Sequence, residues 1–134
     1  DVERSRGLGD VYKRQGCDGF GPLGPWLVTA DEVPDPQALR MWLDVDGRRM
    51  QDGSTATMVF GVTFLISYLS RFMSLQPGDV ISTGTPPGVG MGQKPPMYLR
   101  AGQAMRLGIA GLGEQRQTMV AAREQPSPST TGKA

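Results

Sequence analysis

Alternation of apolar and polar residues marks a pair of strands near the centre of the chain. Apolar side chains occupy every second position over residues 39–45, and this period of two predicts a strand with one buried face. The dipeptide Asp46-Gly47 follows, and it suits the positive φ angles of a tight hairpin turn. The pattern therefore predicts a return strand over residues 48–51, which Asp52-Gly53 ends.

A helical period replaces the strand period in the next segment. Six apolar residues fall on one face of a helix predicted over residues 58–73, after small hydroxyl residues that can cap it and before Pro77-Gly78. Six buried side chains of this kind need a sheet to pack on, so we expect a core helix. The six are Val62, Leu65, Ile66, Leu69, Phe72 and Met73.

Four further segments have the composition of short strands. They are predicted over residues 26–29, 79–83, 105–109 and 114–120, separated by turns rich in Gly and Pro. Because strands and helices do not alternate, a doubly wound fold is not expected. The pattern indicates an α+β fold, a mixed and mainly antiparallel roll or sandwich with one long packed helix.

Length, charge and composition narrow the class of protein. The 134 residues suffice for one domain, and 14 basic against 13 acidic residues leave a net charge of +1. Scattered basic residues and the lack of a long apolar run predict neither a nucleic-acid partner nor a membrane span. A single Cys and no His exclude an internal disulfide, a Ser-His-Asp triad and a His-ligated metal within these residues.

The two ends differ from the middle. Residues 10–15 read DVYKRQ and can be back-translated into the mosaic end of a sequencing transposon, so residues 1–15 are interpreted as a non-native leader. Residues 121–134 are rich in Pro, Ser and Thr without a large apolar side chain, which predicts a disordered tail. Residues 16–120 remain as the domain.

A glycine-rich loop over residues 84–92 is the main candidate for chemistry. Its four glycines allow the backbone to approach a ligand closely, and Thr85 is its one hydroxyl. The spacing fits neither a Walker phosphate loop nor a dinucleotide fingerprint, since Gln93 precedes Lys94 and prolines follow. Two interpretations remain open, a loop that binds an anionic ligand and a purely structural turn.

Two long motifs identify a family by resemblance. The segment GCDGFGPLGPWLVT, residues 16–29, resembles the central signature of the fumarylacetoacetate hydrolase family. The segment LQPGDVISTGTPPGVG, residues 75–90, resembles its second signature, and residues 94–96 and 111–117 resemble its C-terminal portion. The GLGEQRQ and QDGST stretches are most similar to the branch of ureidoglycolate lyase and 2,4-diketo-3-deoxy-L-fuconate hydrolase.

The resemblance implies properties that the residue pattern alone does not give. It implies a β-roll, a cytoplasmic homodimer, and a divalent cation, Mg²⁺ or Mn²⁺. The implied reaction is hydrolase or lyase cleavage of a small carboxylate substrate, a 2,4-dioxo acid or ureidoglycolate, through an enolate that the cation stabilises.

The sequence departs from the family pattern at the first signature. Gln15 stands where the family has Lys, Gly19 stands where it often has Thr, and the three metal-binding carboxylates of the family lie upstream of this signature. Only Thr85 and Gly84 therefore carry over as expected substrate contacts, with no catalytic or metal-binding residue assigned in this chain. The expected function is the C-terminal part of a metal-dependent hydrolase or lyase, inactive as this fragment. The alternative is a non-catalytic domain that binds a small carboxylate.

Overall fold

A computed structural model describes residues 19–121 of the chain. Within these residues, four strands form one antiparallel sheet in the order β2-β1-β3-β4, and one α-helix follows the first hairpin. The strands are β1 Arg40–Val45, β2 Arg48–Ser54, β3 Ala104–Ile109 and β4 Gly113–Thr118, and the helix α1 is Val62–Leu69. Short 3-10 turns occur at Ala30–Glu32, Thr55–Thr57 and Gly90–Gly92. This architecture confirms the α+β class. The expected leader and all but the first residue of the expected tail lie outside the described residues.

The central hairpin forms as predicted, and it is longer than expected. Asp46 and Gly47 adopt φ angles of 49° and 79°, the left-handed conformations that a tight turn between twisted strands requires. The Asp46 carboxylate also accepts hydrogen bonds from the Ala104 N–H and the Gln103 side chain, both at 2.9 Å, which ties the turn to β3. Gly53 does not end β2, because the strand pairs with β1 as far as Ser54.

The helix is shorter than the predicted span of residues 58–73. Residues 55–57 form a 3-10 turn, and the helix begins only at Val62, whose N–H donates to the Gln37 side-chain oxygen at 2.5 Å. Gln37 thus satisfies a helix-end donor from 25 residues away, a cap that local sequence does not reveal. After Leu69 the backbone continues with hydrogen bonds between residues three apart. The N–H of Arg71 donates to the Tyr68 carbonyl, and the N–H of Phe72 donates to the Leu69 carbonyl.

The predicted burial of the helix face on the sheet is wrong for the described residues. Val62, Leu65 and Leu69 are half-buried, whereas the side chains of Ile66 and Phe72 are 44% and 68% exposed. No large apolar side chain in residues 19–121 is fully buried, and the helix makes no extensive contact with any strand. Leu65 lines a cavity together with the end of the hairpin and residues 83–87.

Two of the predicted strands are extended segments without a partner. Residues 26–29 and 79–83 form no strand pairing within the described part of the chain. The sheet edges that could receive them are contacted by prolines: Pro86 lies against Gly53 of β2, and Pro25 lies against Gly113 of β4. Each outer strand of the sheet thus has a proline side chain beside one of its glycines. β4 also ends at Thr118, before the predicted Val120.

The two faces of the sheet differ in chemistry. One face carries a half-buried row in which Leu43 and Leu107 lie between Gln51 of β2 and Gln115 of β4. The opposite face carries Trp42, with the Arg49 and Arg106 guanidinium groups 4.8 Å and 5.2 Å from its ring centroid. No helix among the described residues is long and apolar enough to cross a membrane.

Candidate functional site

A cavity of about 300 Å³ brings the predicted site residues together with the end of the hairpin. Its volume suits a small organic acid, because ligand sites of this kind begin near this size. Gly84 and Thr85, the two expected substrate contacts, form part of its wall. The other lining residues come from β1, the end of β2, the segment up to the helix, the helix itself, and residues 83–87 around Gly84 and Thr85. They are Met41, Ser54, Thr55, Thr57, Met58, Val59, Phe60, Leu65, Thr83, Pro86 and Pro87.

The polar part of the wall consists of hydroxyl groups. The Thr55 hydroxyl accepts the Leu39 N–H at 2.9 Å, and the Ser54 hydroxyl accepts the Ala56 N–H at 3.2 Å. The Thr57 hydroxyl donates to the Ser54 carbonyl at 2.8 Å. These three groups therefore stabilise the turn after β2. Thr85 is exposed, which leaves its hydroxyl accessible to a ligand in the cavity.

Close contacts hold the 84–92 loop against β2. Gly84 and Gly88 adopt φ angles of 101° and 112°, a conformation that residues with a Cβ rarely adopt. A Cβ at Gly88 would overlap the Met50 carbonyl oxygen, and a Cβ at Gly53 would lie 2.8 Å from the Pro86 Cβ. The loop is therefore docked on the strand through glycines on both sides, and this docking places Thr85 at the cavity.

Gln51 adds a polar contact that the sequence did not single out. Its side-chain nitrogen lies 2.9 Å from the Thr85 hydroxyl oxygen and 2.7 Å from the Pro86 carbonyl oxygen. Gln51 is 34 residues from Thr85, so no local motif joins them. One signal was available: Gln51 belongs to the QDGST stretch that resembles the family, although its role there was not assigned.

The lining of this cavity contains no titratable side chain. A shifted pKa occurs elsewhere, on the charged face of the sheet, where a hydrogen bond from Arg40 lowers the pKa of Asp52. A hydrogen bond with Thr29 lowers the pKa of Asp31, which lies in the first 3-10 turn. The described cavity can therefore bind and orient a ligand through neutral groups, and it holds no general acid or base of its own.

The described residues do not fit a Mg²⁺ or Mn²⁺ site. Hard divalent cations take several convergent oxygen ligands, most often carboxylates. Among residues 19–121, no group of three or more Asp, Glu, His or Cys side chains lies close enough together to hold an ion. Asp44 and Asp52, two acidic residues of the sheet, are paired with arginines instead.

Comparison with known proteins finds relatives that are similar to this chain in sequence and in structure. A protein of Burkholderia multivorans that is named a hydrolase is 70% identical over 116 residues, which are 86% of this chain and 41% of that protein. The fumarylacetoacetate hydrolase of Exiguobacterium antarcticum has a TM-score of 0.77 and 39% identity, covering 85% of this chain and 43% of that one.

A maleylpyruvate hydrolase from Sphingobium sp. SYK-6 is also similar in structure. It has a TM-score of 0.71 and 40% identity over 81% of this chain and 38% of its own. The same enzyme in complex with manganese(II) and pyruvate has a TM-score of 0.67 and 40% identity, over 75% of this chain and 36% of that one. This chain thus spans about two fifths of the length of these relatives.

The family match covers most of the chain. Residues 1–120 match the family described as fumarylacetoacetate hydrolase, C-terminal. That range includes both signature-like segments and the cavity that Gly84 and Thr85 line. The chain therefore belongs to the fumarylacetoacetate hydrolase family, of which it carries the C-terminal domain sequence.

Proposed function

We propose that this chain supplies the substrate-binding wall of a hydrolase that cleaves small 2,4-dioxo acids of the acylpyruvate type. The observation that carries the proposal is the Thr85 hydroxyl, which is exposed at a cavity of about 300 Å³ and belongs to the loop of the second family-like segment. The similarity to a maleylpyruvate hydrolase, solved also with manganese(II) and pyruvate, supports an acylpyruvate as the substrate class.

In this proposal the residues of the chain bind and orient the substrate. Thr85 donates a hydrogen bond to a carboxylate or carbonyl oxygen, and Gly84 lets the backbone approach the same group. Met58, Val59 and Leu65 contact the acyl part, since they form the apolar side of the cavity. Such positioning favours reaction by holding the scissile bond in one orientation.

The proposal places no metal among the described residues. Residues 19–121 do not fit Mg²⁺ or Mn²⁺, so the ligands of such a cation belong elsewhere in the whole protein. Assembly as a homodimer and a cytoplasmic location stay predictions from the family resemblance.

The experiment described next also distinguishes two other expectations, a different substrate and a function without catalysis. The resemblance to the ureidoglycolate lyase branch predicts ureidoglycolate as a substrate, whereas the solved relatives described above favour an acylpyruvate. A domain that binds a small carboxylate without catalysis is the alternative that the cavity itself allows, because no titratable group lines it.

A hybrid enzyme tests the substrate class. Residues 19–121 of this chain replace the matching segment of the Burkholderia multivorans relative, which the 70% identity makes feasible. We expect the hybrid to consume an acylpyruvate, followed by loss of its enol absorbance, and Thr85→Val to lower the rate about tenfold.

The unmodified relative and a Thr85→Ser hybrid are the matched controls, because serine keeps the hydroxyl. Turnover of ureidoglycolate but not of the acylpyruvate would contradict the proposed substrate class. Binding of pyruvate without any turnover, in a hybrid whose parent is active, would favour the non-catalytic alternative.

A further inference from the structure

A β-bulge directs Gln51 toward the 84–92 loop. The register of β1 and β2 shifts between Leu43, which lies opposite Gln51, and Asp44, which lies opposite Arg49. Met50 is therefore the extra residue, and such a bulge re-aims the neighbouring side chains. The Met50 carbonyl contacts Gly88, while Gln51 lies half-buried beside Leu43 on the face that also carries Leu107.

The contacts of Gln51 fix the orientation of its amide. A backbone carbonyl can only accept hydrogen bonds, so the Gln51 group 2.7 Å from the Pro86 oxygen must be the NH₂. The same nitrogen lies 2.9 Å from the Thr85 hydroxyl oxygen. Its two N–H bonds thus donate to Pro86 and to Thr85, and the hydroxyl of Thr85 is an acceptor in this pair.

The direction of this hydrogen bond decides what Thr85 offers a ligand. A hydroxyl has one hydrogen, and accepting from Gln51 leaves that hydrogen free to donate. The one protein acceptor within reach, the Pro86 carbonyl, is 3.4 Å away and already accepts from Gln51 at 2.7 Å. An acceptor oxygen in the cavity can therefore form a shorter, better bond.

We propose that Gln51 is a positioning residue. By donating to the Thr85 hydroxyl oxygen, it leaves the hydroxyl hydrogen to point into the cavity, so that the cavity selects carboxylate and carbonyl oxygens. The ligand class rests on the proposed function, whereas the Gln51–Thr85 contact does not. The docking of the loop does not rest on Gln51 alone, because Gly53 contacts Pro86 and Gly88 contacts Met50. Removing the amide is thus expected to leave the loop in place.

The test uses the 134-residue chain, labelled with ¹⁵N, and pyruvate as the probe. We expect Thr85→Val to shift the side-chain amide signals of Gln51, since the acceptor of one N–H is lost. We also expect Gln51→Leu to weaken pyruvate binding about five- to tenfold, the scale of one hydrogen bond. Gln51→Glu is expected to weaken pyruvate binding further, although the side chain keeps its size. The new carboxylate would accept the hydrogen bond of the Thr85 hydroxyl and would repel an anion.

Two comparisons separate positioning from a structural effect. In a Thr85→Val background, Gln51→Leu should cause no further loss of affinity, whereas independent effects would add. Gln115→Glu is the matched control, because Gln115 donates to the Gly24 carbonyl from the other edge strand and does not line the cavity. It should leave pyruvate binding unchanged.

The outcomes distinguish this inference from the proposed function. Unchanged pyruvate affinity in Gln51→Leu, or Gln51 amide signals that do not respond to Thr85→Val, would overturn the positioning role. If the unmodified chain does not bind pyruvate while the Gln51 signals respond, the positioning contact is supported and the proposed ligand class is wrong.

Discussion

At the scale of single residues, glycine decides how the candidate site is built. Gly88 combines a positive φ of 112° with a backbone contact to Met50, so it is required for both its conformation and its lack of a side chain. Two other glycines lack the close contact, and only one of them has a positive φ. Gly78 has a φ of 98° and open space around it, whereas a Cβ at Gly92 would meet no atom within 4 Å at an ordinary φ.

These differences predict a graded series of alanine variants. We expect Gly88→Ala to lower the free energy of unfolding by about 3 kcal/mol or more, through strain and backbone overlap together. Gly78→Ala should cost about 1–2 kcal/mol from conformational strain alone. Gly92→Ala should range from no change to a gain of about 1 kcal/mol. Urea denaturation measures all three, and equal losses at Gly88 and Gly78 would show that the Met50 contact is unimportant.

At the scale of elements, the first hairpin is held by charges as well as by its turn. The Asp52 carboxylate accepts from the Arg40 guanidinium at 3.0 and 3.3 Å, and Arg49 lies 3.6 Å away. The hydrogen bond from Arg40 lowers the pKa of Asp52 below its ordinary value of 3.8 and raises the pKa of Arg40. Both side chains are exposed to solvent, so the pair adds modestly to stability.

This pair predicts a defined pH dependence of stability. Because the folded pKa of Asp52 is lowered, its contribution is present above pH 3.8, the ordinary pKa, and is lost as the pH falls through the folded value. Asp52→Asn should therefore be less stable than the unmodified chain at neutral pH, with the difference vanishing in strong acid. Arg40→Gln should cause a similar loss that does not add to it. A difference that persists in strong acid would assign the effect to something other than the ion pair.

The helix makes a second prediction at this scale. Leu65 is half-buried and lines the cavity, so Leu65→Ala should lower the free energy of unfolding by about 1–2 kcal/mol, below the cost at a fully buried site. Phe72 is 68% exposed, and Phe72→Ala should change it by less than about 0.5 kcal/mol. Thermal or urea unfolding provides the measurement. A larger loss at Phe72 than at Leu65 would mean that the helix buries a different face.

At the scale of the whole molecule, the described residues form a scaffold without a sealed core. An exposed row of aromatic rings runs along the helix and past both of its ends. Phe60 stacks on Phe64 and Phe64 on Tyr68, with centroids 4.8 and 6.0 Å apart, and the Phe72 ring is tilted against Tyr68 at 5.1 Å. The chain also spans about two fifths of the length of its relatives. The residues that bind substrate and the residues that bind metal can therefore lie in different parts of the whole protein.

This separation of substrate binding from metal binding predicts how the isolated chain responds to Mn²⁺ and to an acylpyruvate. We expect the purified 134-residue chain to show no saturable micromolar binding of Mn²⁺ by calorimetry, because no described group of side chains supplies the convergent oxygens. We also expect no turnover of an acylpyruvate, since the cavity contains no titratable group. Binding at micromolar Mn²⁺ together with turnover would contradict this prediction, because the chain itself would then supply metal ligands.

The sequence alone determined the local elements and the family. The hairpin at Asp46-Gly47 and the strand over residues 105–109 follow from neighbouring residues, because a period of two and a turn dipeptide act over a few positions. The signature-like segments identified the family and pointed to Gly84 and Thr85, which the structure places at the cavity.

The tertiary structure decided which segments pair and which side chains meet. Residues 79–83 have the composition of a strand, yet they form no strand pairing within the described residues. The helix begins at Val62 because Gln37 caps it from a distant loop. Gln51 reaches Thr85 across 34 residues because a bulge at Met50 turns it toward the loop. Such contacts depend on the relative placement of elements, which a local residue pattern does not contain.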